Sequence, residues 1–319
     1  MMYQRHDMSC GKTRKKNPGK LPRAFDRFSA RIRTYGTRDT VGLLLNVCGG
    51  MLDFYLRPRS KRQSKLPGPN YRQIKSDLER AGVTVLPYRV DVGDFKIWLE
   101  KASFPKNYVD SYGSVFVEKA LEHYVGAQLL QLRKDDVLID VAAAHSPWFE
   151  IAERIYGCTA YALDLIFKPG VNDKRIGSDA TDMPIPDGFA TKLALHCAFE
   201  TFEGDSDTRL LPEACRVLAE GGQMVILPLY MHNLYFADSS PLADRRGLDY
   251  QGAQRIWRDD GYAVRFSRKY SVNAFLNRVV NHLGDLKLKI YYIENEKEVH
   301  SRCYLKFAAS FEKAVSASG

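Results

Sequence analysis

D-V-L-I-D-V-A-A-A-H-S-P-W, residues 136–148, passes from a short apolar strand into a run of small residues and then into Ser146-Pro147, an N-cap residue followed by a first-turn proline. Trp148, Ile151, Ala152 and Ile155 then repeat on one face, the period of a helix. The same alternation continues downstream. Residues 161–165 read as a second strand and 193–197 as a later one. Leu210, Leu211, Ala214, Val217 and Leu218 mark the inward stripe of a helix closed by Gly221-Gly222, and 224–229 is another buried strand. Strands alternating with helices predict a parallel α/β sheet, which binds its ligand at the carboxyl ends of its strands. Asp140, Asp164 and Asp179 stand at such ends, and the spacing of 24 residues between the first two fits one β-α-β unit. Carboxylates placed there suit a ribose and an adenine, so a nucleoside-bearing cofactor is expected.

Upstream, 71–81 predicts a short helix, 83–90 a strand, 95–100 a further short element and 114–132 a helix lying over the sheet. Near the end, L-K-I-Y-Y-I and C-Y-L-K-F-A-A-S-F flank the polar turn E-N-E-K-E-V-H-S-R, the pattern of an antiparallel hairpin.

Residues 136–230 resemble the cofactor half of the class I S-adenosylmethionine-dependent methyltransferases. The resemblance is carried by S-D-A-T-D-M-P-I-P-D-G-F-A, a strand, F-E-T-F-E-G and then R-V-L-A-E-G-G-Q-M-V-I. It extends to the terminal hairpin, similar to the antiparallel pair those enzymes carry and dehydrogenases lack. It implies a Rossmann-like, mostly parallel seven-stranded α/β sheet with a C-terminal antiparallel hairpin, and S-adenosyl-L-methionine as cofactor. By resemblance, Asp140 supports the loop under the methionine part and Asp164, with Leu165 beside it, accepts the ribose hydroxyls. Asp179 takes the adenine amino group next to Ala180, and His196 and Cys197 floor the site of the transferring methyl. The departure lies in the first loop, where the family has glycines and this chain has Ala142, Ala144, His145 and Ser146. Glycine serves there because backbone approaches ligand closely and can need positive φ; an alanine forced into that conformation costs roughly 1 kcal/mol, which a binding site tolerates. His145 either touches the cofactor carboxylate or caps the helix. Thr201 stands where similar sequences place a histidine, so a base at that position is out of reach.

At 319 residues and 45% hydrophobic the chain can bury a full core without staples. Its six cysteines show no C-x-x-C pair and no zinc spacing, so no metal is expected, and reduced thiols fit a cytoplasmic protein. The net charge of +9 is uneven: residues 1–66 hold 16 Lys and Arg against 4 Asp and Glu, whereas 67–319 hold 31 against 34. Three segments follow: a basic head at 1–66, disordered over 1–24 and carrying the apolar stretch 41–56; α/β elements at 67–133 that shape the substrate side; and the cofactor domain at 134–319. The apolar stretch has two readings. With its basic flanks it lies against an anionic membrane surface, or it packs as a helix on the body. A slightly acidic body argues against a nucleic-acid partner; an RNA-binding head, and a non-catalytic scaffold of the same fold, remain the rival classes.

Methyl transfer needs a nucleophile aligned with the donor and, for an alcohol, a base. His196 is the candidate base, with Glu200 as a second. Tyr108, Tyr112, Glu118, Lys119, His123 and Tyr124 are expected to line a polar, aromatic opening, with 232–246 as a lid. Sequences of this type resemble methyltransferases of bacterial surface-polysaccharide pathways, which implies a glycan or small-molecule hydroxyl as acceptor.

Overall fold

The computed structural model describes residues 63–239, 247–258 and 265–315. The basic head up to residue 62, with its apolar stretch, and the distal part of the expected lid lie outside the described residues. The chain forms two compact units. The larger holds Pro67–Ala237, Asp249–Gln254 and the chain from Ser267 onward, and it carries the main sheet. The smaller contains Asp238 and Arg258, a buried ion pair at 2.9 Å.

The larger unit begins with α1 (Tyr71–Arg80), β1 (Val85–Tyr88), α2 (Val92–Ala102), α3 (Lys106–Tyr112) and α4 (Phe116–Leu130). Asn70 caps α1 by accepting from Gln73 N, and Asp91 caps α2 by accepting from Asp94 N. The alternation follows: β2 (Val137–Val141), α5 (Trp148–Tyr156), β3 (Thr159–Asn172), β4 (Arg175–Gly177), β5 (Ala190–His196), α6 (Ser206–Val217) and β6 (Leu218–Leu227). Short strands β7 (Phe236–Ser239), β8 (Gln254–Trp257) and β9 (Ser267–Lys269) lead to α7 (Val272–Arg278), β10 (Leu286–Ile293), α8 (Glu296–Val299) and β11 (Phe307–Lys313).

The sheet order is β1-β10-β11-β6-β5-β2-β3-β4, parallel except for β11. It has eight strands where seven were expected, because β1 adds in parallel outside the terminal hairpin, Val85 opposite Ile290. The hairpin itself is as expected, with α8 in its turn. Chain direction across the sheet reverses between β2 and β5, since β2 continues outward to β3 and β5 outward to β6. That is the switch point where an open α/β sheet leaves a crevice. Two apolar clusters cover the faces, one around Ile139, Leu193 and Ile226, the other around Leu138, Leu121 and Trp148.

Three local expectations need correction. Helix α5 starts at Trp148 rather than Pro147, although Ser146 Oγ still accepts from Trp148 N at 3.2 Å. Gly221-Gly222 does not close α6. That helix ends at Val217 and passes straight into β6, whose first residues bulge against β5, and both glycines lie within the strand. Residues 232–239 are no loose lid: His232 is buried, accepts from Leu234 N at 2.9 Å through Nδ1 and donates through Nε2 to Pro67 O at 3.0 Å. None of the described helices is long and apolar enough to cross a membrane.

Candidate active site

The loop after β2 turns on two alanines in the left-handed region, Ala142 at φ +56° and Ala144 at φ +47°. These are the positions where glycine was missing from the sequence, and the backbone takes the glycine conformation regardless. What holds it is local. Ala143 N donates to Leu163 O at 3.0 Å and Ser146 N to Ala143 O at 2.8 Å. Ala144 N donates to Asp164 Oδ2 at 2.8 Å, and Ile166 N to Asp164 Oδ1 at 3.0 Å. Each carboxylate oxygen of Asp164 thus spends one lone pair on backbone and keeps another for a ligand.

Past Asp164 the chain arcs outward and returns to β4, so that both 162–164 and 169–172 pair with 175–177. Only glycine fits at 177, because a Cβ there would stand 2.0 Å from Lys168 O. The arc leaves Leu165 72% exposed next to a partly buried Asp164, an apolar side chain standing in solvent beside a carboxylate. Asp179 is exposed and accepts from both Thr181 N and Thr181 Oγ1 at 2.9 Å, while Ala180 is buried. His145 is exposed and makes no cap contact with α5; Ser146 supplies that contact.

Behind this rim the floor is buried. Asp140 Oδ1 lies 3.4 Å from His196 Nδ1, a contact that joins β2 to β5 across the switch point. Burial pushes the Asp140 carboxyl up, with His196 opposing. The His196 ring meets His123 (ring centres 4.4 Å apart) and Trp148 (5.7 Å), and His123 stacks on Trp148 at 4.9 Å. Gly126 on α4 makes room for the ring: a Cβ there would stand 2.7 Å from His196 Nε2. Cys197, in left-handed backbone at φ +52°, donates from Sγ to Glu200 Oε1 at 3.3 Å and lies 3.5 Å from Tyr230 OH. Burial pushes the Cys197 thiol up to about 12 and the Glu200 carboxyl above its ordinary range.

The structure therefore brings Asp140, His196, Cys197 and Glu200 together and lines Ala142, Ala144, Ser146, Asp164 and Asp179 along the strand ends. Of the residues expected to form the opening, Tyr124 instead packs with Phe95 and Trp98 in the core. Three members of the site were not legible. Glu122 bonds Lys119 Nζ at 2.7 Å, Tyr304 OH accepts from the same Nζ at 3.0 Å, and Tyr230 stacks on Tyr304. The signal for the first was an i,i+3 Lys-Glu pair inside an apolar helix; the tyrosines arrive from distant segments, one after β6 and one before β11.

No family model matches the chain, and no curated protein does. Among solved structures it is similar to the 1,6-didemethyltoxoflavin-N1-methyltransferase of Burkholderia thailandensis, solved with 1,6-didemethyltoxoflavin and S-adenosylhomocysteine (TM-score 0.44, 11% identity, 72% of this chain and 93% of that one). It is also similar to a SAM-dependent methyltransferase from Methanosarcina mazei (TM-score 0.37, 12% identity, 58% and 95%). A third is the geranyl diphosphate C-methyltransferase of Streptomyces coelicolor A3(2) with Mg2+, geranyl diphosphate and S-adenosyl-L-homocysteine (TM-score 0.38, 12% identity, 68% and 87%). These likenesses assign no residue here; assignments come from the strand ends of this chain.

Proposed function

We propose that the chain is an S-adenosylmethionine-dependent methyltransferase that methylates a hydroxyl of a saccharide or related small molecule. The observation that supports this most is the row of carboxylates at successive strand ends, Asp140, Asp164 and Asp179, around a loop whose two alanines adopt glycine-like backbone. The residues fit the cofactor: Asp164 keeps lone pairs for two ribose hydroxyls, Leu165 offers an uncovered apolar face to a base, and Asp179 is exposed for an exocyclic amine. When bound, the cofactor supplies an electrophilic methyl group. The chain's own task is to align an acceptor and take its proton. Asp140 beside Nδ1 fixes the His196 ring with Nε2 turned toward Gly126 in the interior, so His196 supports the floor and Glu200 is the remaining candidate base. Tyrosines and carboxyls of the floor suit a polyhydroxylated acceptor, and the basic head supports work at an anionic membrane surface.

Calorimetry with S-adenosylhomocysteine tests the cofactor site. The intact chain should bind it, and Asp164→Asn, which preserves an acceptor for the loop, should weaken binding at least about tenfold, the worth of one charged hydrogen bond. Equal affinity in the variant would remove Asp164 from the site, and no heat with the intact chain would leave a scaffold. Flotation with anionic vesicles, lost when residues 1–66 are removed, tests the membrane role.

A further inference from the structure

A cavity of about 520 Å3 opens between helix α1 and the end of β10, bordered by Arg72 and Lys75 of the helix, Tyr292 and Glu294 at the strand end, and Lys306. Its place in the sheet matters. Strand β10 is antiparallel to β11 and β11 is antiparallel to β6, so β10 runs in the direction of β6 and β5. The cavity therefore stands on the same sheet edge as Asp140, Asp164 and His196. Neighbouring strands are about 4.8 Å apart, which puts β10 roughly 14 Å across the sheet from β5. Burial, and then the carboxylates of Glu296 and Glu118, push the Tyr71 hydroxyl up, so the start of α1 is within electrostatic reach of the active-site helix α4.

The cations gather on one ring: Lys306 Nζ lies 4.7 Å and Lys75 Nζ 5.9 Å from the Tyr292 ring centre. Net charge decides little, because Glu79 and Glu294 also border the cavity and Glu296 holds Lys306 at 2.8 Å. Unspent donors decide more. An ammonium has three N–H groups, and Lys306 gives one of them to Glu296. Lys75 meets Glu79 at 3.2 Å in a solvent-facing i,i+4 pair, an arrangement that contributes little and yields readily to a ligand. Arg72 is exposed and makes no hydrogen bond or ion pair among the described residues, so its whole guanidinium fork is available. A phosphoryl group, with three acceptor oxygens and nearly two negative charges at neutral pH, matches a fork flanked by two ammonium groups. The exposed Glu294 carboxylate would repel a bare oxyanion but accepts hydroxyls carried beside one. We propose that this cavity binds the phosphate of a phosphorylated polyol, which makes the acceptor a sugar phosphate ester lying along the sheet edge from β10 toward β5. This rests on the methyl-transfer reading only in making the bound ester the acceptor.

Glycerol 2-phosphate is the minimal probe, an achiral ester with one phosphate and two hydroxyls. Its phosphorus NMR line width is titrated with the full chain at constant ionic strength, against inorganic phosphate as the free-anion control and glycerol as a competitor. The ester should bind at least about tenfold more tightly than inorganic phosphate, the worth of a hydrogen bond from a hydroxyl to a charged group, and equimolar glycerol should not displace it. Arg72→Gln and Lys306→Gln should each weaken the ester at least about tenfold. The exposed Arg72 position suffices if loss of the Glu296 contact unfolds the Lys306 variant. Glu294→Ala should narrow the gap between ester and phosphate. Equal binding of the ester and inorganic phosphate, or ester binding unchanged in both cation variants, overturns the proposal. Asp164→Asn should lose S-adenosylhomocysteine and keep the ester. Ester binding in a chain that never binds S-adenosylhomocysteine would sink the methyltransferase reading and leave the ester site standing; the converse result would do the reverse.

Discussion

Ala142 and Ala144 show how much a single methyl group can be made to tolerate. A left-handed alanine costs about 1–2 kcal/mol, whereas the extra unfolded-state entropy of a glycine costs about 0.4–1 kcal/mol. Ala142→Gly and Ala144→Gly are each expected to stabilise the chain by up to about 1 kcal/mol in urea titrations. The loop was legible at this scale because the glycine requirement is stereochemical: the sequence shows which positions depart, and physics sets the cost. The pairing of Asp140 with His196 was not legible, since nothing in the spacing between residue 140 and residue 196 says that β2 and β5 are neighbours. Asp207 is the opposite case, a buried carboxylate fully engaged by Tyr270 at 2.6 Å, Arg278 at 2.5 Å and Arg268 at 2.5 Å. Asp207→Asn breaks a buried ionic cluster and should cost about 3–5 kcal/mol of stability by chemical denaturation.

Among elements, α4 departs furthest from a sequence reading. Periodicity looks for one apolar stripe, and α4 satisfies it with Ala120 and Tyr124 while burying its polar face as well. It can do so because β5 and β6 lie on one side and α2 and α3 on the other. Its Gly126 is fixed by the His196 ring rather than by helix propensity. Alanine would normally strengthen a helix by about 1 kcal/mol, but here its Cβ would collide with Nε2 at 2.7 Å. Gly126→Ala should therefore destabilise the fold by about 1–3 kcal/mol and displace the His196 ring, visible as changed imidazole resonances by NMR. The strands with their terminal carboxylates and the hairpin were legible because period and turn chemistry are local. The end of α6 was misplaced because glycine serves a strand bulge as readily as a helix stop.

Over the whole larger unit, ionisable groups bound stability from two sides. Although burial opposes it, Arg278 and Arg268 hold the Asp207 carboxyl below its ordinary range, so its contribution is present above the unfolded value and lost as acid protonates it. Glu118 and Glu122 act in the opposite sense. Their folded values are raised by burial, so their neutral forms favour folding at low pH and that advantage disappears as pH rises through about 7 and about 8. Melting temperature against pH should pass through a maximum, and Glu118→Gln should flatten only its alkaline limb. The sheet order carries a consequence of its own. Strand β11 lies between β6 and β10, and β1 pairs with β10, so the partners β1 and β10 sit about 200 residues apart in sequence. During synthesis, β1 and β10 have no bridge to the rest until residues 307–313 leave the ribosome, so the sheet is completed only after nearly all of this sequence has been made. A nascent chain stalled before that point would keep a sticky, half-assembled edge for chaperones to guard.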